Sequence, residues 1–197
     1  MIHTLEQQQP LWTPGTVHGY HAVTYGWLAG ELVRRTDPKK RSLGQFIKDE
    51  IASRTQIEFY IGLPPEIQYR VSPVVPYPDV KKILNETMLT LFTVWNDPGI
   101  HQAEIPAAIG ITNAWSIARL YASLIGDLDD GPEQRLLTDE ILKRATMSNT
   151  PLNEMDLVLQ YHSSFGMGFH QFDQALPAFA PGTFGHHGKK ENSDQIT

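Results

Sequence analysis

Pro14-Gly15-Thr16-Val17-His18-Gly19-Tyr20-His21-Ala22-Val23-Thr24-Tyr25-Gly26-Trp27 is the stretch from which the rest of the chain is read. Pro14-Gly15 makes a turn and delivers the chain to Tyr20, at the mouth of an apolar run with helical spacing. A tyrosine in that place is either a ring packed at a helix start or a phenol aimed at a site. Tyr25, Leu28, Ala29, Leu32 and Val33 fall on one stripe, with Val23 and Trp27 beside it. The spacing therefore predicts a first helix that opens near Tyr20 and buries that stripe. Arg34 and Arg35 suit its last turn, and Asp37-Pro38 ends it. Upstream, Pro10, Pro14, Gly15 and Gly19 mark residues 1–19 as an extended arm and turn.

Further along, Ser42-Leu43-Gly44-Gln45 is a capping-box pattern opening a short helix that buries Phe46, Ile47 and Ile51. Residues 57–62 alternate and are rich in β-branched and aromatic side chains, as a short strand requires. The proline-rich run 63–78 reads as an irregular wrap. Asp79, Asn113 and Thr138 are the expected N-caps of three more helices, the second carrying Ile117, Ala118, Tyr121, Leu124 and Ile125. Gly126 to Pro132 is an acidic loop. Phe165-Gly166-Met167-Gly168-Phe169-His170-Gln171-Phe172 alternates as a strand does, Thr183 to Gly188 opens another, and residues 189–197 fray. Helices followed by a little strand make an α+β protein with a partial antiparallel sheet.

Composition narrows the classes of function. Among 197 residues, 41% are hydrophobic, enough for one domain with a sizeable core. A net charge of −6 argues against nucleic acid as a partner, because phosphate binding is driven by clustered Lys and Arg. Cysteine is absent, which excludes disulfides and thiolate metal sites. No stretch reaches the roughly 18 apolar residues of a transmembrane helix. Residues 1–10 lack a basic segment followed by an apolar one, so no secretory leader is expected and the compartment reads as cytoplasmic. His18, His21, His186 and His187 would be a metal set only if the two ends of the chain met. The His18-x-x-His21 spacing is loose, so no metal and no cofactor is expected.

Trp12-x-Pro14-Gly15-Thr16 followed by Gly19-Tyr20-His21-Ala22-Val23-Thr24-Tyr25-Gly26-Trp27 resembles the second motif of the β-lactamase-related serine hydrolases. That superfamily holds class C β-lactamases, penicillin-binding proteins and esterase-like members, among them the LACT-type proteins of animals. The likeness continues through Phe59-Tyr60-Ile61-Gly62-Leu63-Pro64, Asn113-Ala114-Trp115-Ser116-Ile117-Ala118-Arg119-Leu120-Tyr121, Phe165 to Phe169, and Phe184-Gly185-His186-His187-Gly188. These segments stand in the family's order, and together they cover about Trp12 to Gly188.

The resemblance implies the helical lobe and part of the sheet of the β-lactamase/transpeptidase-like fold, in a single incomplete domain over 1–197. Within it, the arm is 1–19, residues 20–150 are mainly helical and 157–188 hold short strands. It also implies hydrolysis of a small ester or amide through a serine acyl-enzyme. In that chemistry Tyr20 is the catalytic phenol that relays a proton. His186, His187 and Gly188 stand for the Lys-Thr-Gly strand that holds substrate. Ala22 replaces the family's Asn, which argues against efficient β-lactam hydrolysis. The family's nucleophile is a Ser-x-x-Lys, and no serine here is followed three residues later by lysine. The chain is thus expected to be weak or inactive alone, as a truncated product or a pseudoenzyme. The other expectation is an interaction module that self-associates through the face a missing sheet would cover.

Overall fold

A helix buries the side along which its backbone can come closest to a neighbour, and here that side is lined with glycine. The computed structural model describes residues 1–75, 93–128, 135–151, 154–172 and 179–186. They gather into two compact units, one from Met1–Ala22 with Tyr121–Gly188, the other over Val23–Leu120. Helices and short antiparallel strands occur in both, so the class is α+β.

In the second unit, α2 (Thr24–Thr36) starts four residues after Tyr20, not at it. A Cβ on Gly26 would lie 2.3 Å from the Ala107 nitrogen, and one on Gly30 would touch Leu43. The Trp27 indole donates to the Glu104 carbonyl at 3.0 Å. This contact face lies beside the predicted one, and the stripe expected inside faces out: Tyr25, Leu28 and Leu32 are 51%, 44% and 65% exposed. The glycine face wins because backbone approach there is closer than any leucine allows.

Ser42 caps α3, which runs through Leu43–Phe46, a π-helical stretch Ile47–Ala52 and Ser53–Thr55. Both halves of the expected capping box form. Phe46, Ile47 and Ile51 are half-buried, and Ala52 is buried. Gln56 adopts a left-handed conformation and ends the helix. β1 (Phe59–Tyr60) then pairs antiparallel with β2 (Ile111–Thr112), Phe59 opposite Thr112. The proline-rich wrap holds a 3₁₀ helix, Pro65–Arg70, and Val75 is exposed where burial was expected. A second 3₁₀ turn, Val94–Asn96, leads into α4 (Pro98–Gln102). The helix expected after Asp79 lies outside the described residues.

Ile57, Ile61, Leu63 and Ile109 form the apolar centre, each worth about 2 kcal/mol of burial. Polar groups fill much of the rest. Asp37 is buried, and its carboxylate takes the Arg41 guanidinium at 2.9 and 3.0 Å. Thr55 is wholly buried, and its carbonyl accepts from Arg119 at 2.7 Å. α5 (Ala114–Ile125) is capped by Asn113, whose side-chain oxygen accepts the Ser116 N–H. Ser116 is itself fully buried and accepts the Glu58 N–H. Ile125, expected on the inner face, is 62% exposed.

In the first unit, residues 2–7 form α1 rather than an extended arm. Thr138 caps α6 (Asp139–Thr146) as its sequence requires. Residues 165–172 are not one strand. Gly168 takes φ +84°, a left-handed value that glycine tolerates, and the chain reverses there. Phe165 bridges His170, and the Gly166 N–H donates to Phe169 at 2.8 Å. The returning residues form β3 (His170–Gln171), antiparallel to β4 (Phe184–Gly185) with His170 opposite Gly185. Alternation of apolar and polar residues survives in both arms of such a hairpin, so the pattern alone does not show the reversal. Among the described residues no helix is long and apolar enough to cross a membrane.

Candidate active site

The first unit brings the two ends of the sequence pattern together. Tyr20 lies in the extended segment before α2, and His186 follows β4. The Tyr20 hydroxyl is 3.4 Å from His186 Nε2, and their rings are 5.8 Å apart. Tyr20 also stacks on Phe165 at 6.0 Å between centroids. Phe165 stacks in turn on the buried His170, so the hairpin at Gly168 supplies the floor under the phenol.

The backbone of this segment is held from below. The Tyr20 N–H donates to Asp156 Oδ1 at 3.1 Å. The same oxygen accepts Val158 and Leu159 N–H at 2.8 and 2.9 Å. Asp156 Oδ2 accepts the Ser163 hydroxyl at 3.3 Å and lies 3.6 Å from His18 Nε2. His18 Nδ1 is hydrogen-bonded to Glu154, its Nε2 is 3.1 Å from Ser163 Oγ, and its carbonyl accepts the Leu157 N–H. Gly19 sits where a Cβ would meet the Trp12 ring at 2.9 Å and Val158 at 3.0 Å, so a side chain there would have to displace them.

Electrostatics follow from this packing. Burial raises the Tyr20 phenol above its ordinary value, and Tyr161 adds to the rise. Near neutral pH the phenol is therefore protonated and can donate across the 3.4 Å to His186. Burial also pushes Asp156 up, but the N–H groups of Leu159, Tyr20 and Val158, with His18, outweigh it and leave the carboxyl below its usual range. Tyr121 is raised by burial, although a hydrogen bond from the His186 backbone works the other way.

Tyr20 and His186 are thus juxtaposed. His187 and Gly188 lie outside the described residues. His21 is exposed, with Nδ1 hydrogen-bonded to the Gly19 carbonyl at 2.7 Å. Both nitrogens of His18 have protein partners, Nδ1 with Glu154 and Nε2 with Ser163 and Asp156. Asp156, Glu154 and Ser163 were not singled out in the sequence. The available signal was the Asp156-Leu157-Val158-Leu159 run, in which a carboxylate precedes two N–H groups it can cap.

A phenol, an imidazole at a strand end and an aromatic floor are thus brought together on an α+β frame. The chain belongs to the β-lactamase family, whose model, described as Beta-lactamase, matches residues 1–195. It is 27% identical to the Esterase/beta-lactamase LipL of Mycobacterium tuberculosis, over 93% of this chain and 47% of that protein. A penicillin-binding protein homologue from Caulobacter crescentus superposes with a TM-score of 0.74 at 29% identity, over 95% of this chain and 51% of the other. EstA from Arthrobacter nitroguajacolicus Rue61a gives a TM-score of 0.74 at 27% identity, over 95% and 52%. The chain spans about half the length of the relatives it matches. These neighbours share the β-lactamase/penicillin-binding-protein-like fold expected from the sequence.

Proposed function

We propose that this chain carries the tyrosine-and-strand part of a serine acyl-hydrolase site acting on small esters or amides. The observation that carries the reading is the 3.4 Å approach of the Tyr20 hydroxyl to His186, from segments 166 residues apart that stand in the family's order. Tyr20 passes its own proton to His186, takes the proton of the nucleophile, delivers that proton to the leaving group and recovers its own from His186. His187 and Gly188 take the substrate-holding positions of the family's Lys-Thr-Gly motif in the sequence, and Ala22 offers no side-chain amide to a β-lactam. Esterase names among the relatives favour an ester as substrate.

Acyl transfer also needs a nucleophile, and this sequence contains no Ser-x-x-Lys. The chain by itself has little or no turnover. Hydrolysis of a short-chain nitrophenyl ester by the purified chain, beside Tyr20→Phe, tests this. The expected result is no turnover above background and no covalent serine adduct with a fluorophosphonate. Turnover that Tyr20→Phe abolishes would mean that a nucleophile lies near Tyr20, and the incomplete-site reading would be wrong.

A second reading is supported by α2. Its exposed Tyr25, Leu28 and Leu32 form an apolar stripe suited to covering by protein. In that reading the chain is a non-catalytic interaction module that self-associates. Sedimentation across concentration separates the two, since a monodisperse monomer at all concentrations removes self-association.

A further inference from the structure

The mechanism above uses the phenol of Tyr20 and leaves Asp156 without a role. Asp156 is wholly buried, 0% exposed, yet it is ionised and held below its usual range. A buried carboxylate is costly unless it is fully hydrogen-bonded, and this one is. Val158 and Leu159 come from the turn it begins, and a turn needs no more than that. The Tyr20 N–H comes from 136 residues away and approaches the same oxygen. His18, two residues before Tyr20, faces Oδ2 and is fixed by Glu154 and Ser163. The Leu157 N–H closes the ladder on the His18 carbonyl. Residues 18 and 20 are thus both tied to the 154–163 segment, with Asp156 at the centre.

We infer that Asp156 is a positioning residue for Tyr20, assisted by His18, and that it sets where the phenol meets His186. The inference rests on the reading of Tyr20 as the acyl-transfer phenol. The backbone of Tyr20 is pinned by an anionic acceptor, and its ring is pinned by Phe165, so one rotamer points the hydroxyl at Nε2. Ser163 supports the carboxylate in this cluster: it is 5% exposed, its hydroxyl donates to Asp156 at 3.3 Å, and its oxygen lies 3.1 Å from His18 Nε2.

The test is amide hydrogen exchange by NMR on the full chain, which needs no turnover and so fails separately from the ester assay. In the unmodified chain, the Tyr20 amide is expected to exchange at least about tenfold more slowly than those of exposed His21 and Ala22. Asp156→Asn keeps an oxygen for the three N–H groups but removes the charge that roughly doubles such bonds. Tyr20 exchange then rises about tenfold while α6 amides keep their protection. The Tyr20 ring signals shift with it. Equal exchange at residues 20, 21 and 22 overturns the proposal even if the variant does not fold. So does an Asp156→Asn chain in which only the Val158 and Leu159 amides speed up, since the carboxylate would then serve the turn alone. A fluorophosphonate adduct mapped to Ser163 overturns it too, because the cluster would then be a nucleophile.

Discussion

Replacing Gly166 with alanine tests whether the floor beneath Tyr20 depends on a close backbone approach. Gly166 has φ outside the left-handed region, so alanine costs nothing through backbone conformation. The cost comes from space. A Cβ there would stand 2.4 Å from the Ala145 carbonyl oxygen and 3.1 Å from that of Met147. Both are backbone atoms at the end of α6 and cannot swing away. Restoring ordinary contact takes a shift of about 1 Å in the hairpin. The Met167 N–H bond to Ala145 and the Asn149 N–H bond to Phe165, each 2.7 Å, stretch with it. Overpacking costs about 1–3 kcal/mol. The two strained bonds add about 0.5–1 kcal/mol each, and the reduced freedom of the unfolded chain returns about 0.5. The net is a loss of about 1.5–4.5 kcal/mol, or about 3–18 °C in melting temperature for a chain of this size. Urea titration followed by far-UV circular dichroism measures it, with tyrosine near-UV signal as a second probe. A variant within about 0.5 kcal/mol of the parent, the range of harmless surface changes, would refute the packing argument.

Ser42→Ala removes the hydroxyl that accepts the Gln45 N–H and donates to Glu104 at 2.6 Å. It should lower stability by about 1–2 kcal/mol, and an unchanged urea midpoint would show that the cap is idle. Acid should weaken the fold in a defined window. The Arg34 and Arg35 hydrogen bonds hold Glu31 down to about 2, Arg41 holds Asp37 low, Arg70 lowers Glu58, and Asp156 is lowered despite burial. A depressed carboxyl stabilises the folded state above its unfolded value of about 4 and loses that contribution as pH falls through the folded value. The urea midpoint should hold from pH 7 to about 5 and drop between about 4 and 2; a midpoint that rises on acidification contradicts these ion pairs.

What could be read in the sequence was the chemistry that acts over three or four residues. Ser42 with Gln45, Asn113 with Ser116, and Thr138 with Ile141 each declare a helix start, because a side-chain oxygen reaches an N–H two or three positions on. The inner face of α2 could not be read in this way. Hydropathy favours Tyr25, Leu28 and Leu32, while the packing is decided by the missing side chains of Gly26 and Gly30. Tyr20 stands outside α2, its N–H bonded to Asp156, a partner no local window contains. Tyr20 and His186 were visible through motif order. Their support, made of His18, Glu154, Asp156 and Ser163, is ordinary in composition and acquires meaning only when the chain closes on itself.

That closure has a consequence for the order of events in synthesis. Tyr20 emerges early, but each group that fixes it, from Asp156 through Phe165 to His186, is encoded 136 to 166 residues later. At about 5–20 residues per second, the ribosome takes on the order of ten seconds to deliver the first of them. Throughout that interval the segment around Tyr20 has no partner among the groups that later hold it. The second unit already has most of its own partners within residues 23–120. The nascent protein therefore acquires its scaffold before its site, and any chain stopped short of residue 156 would leave the ribosome with the tyrosine unplaced.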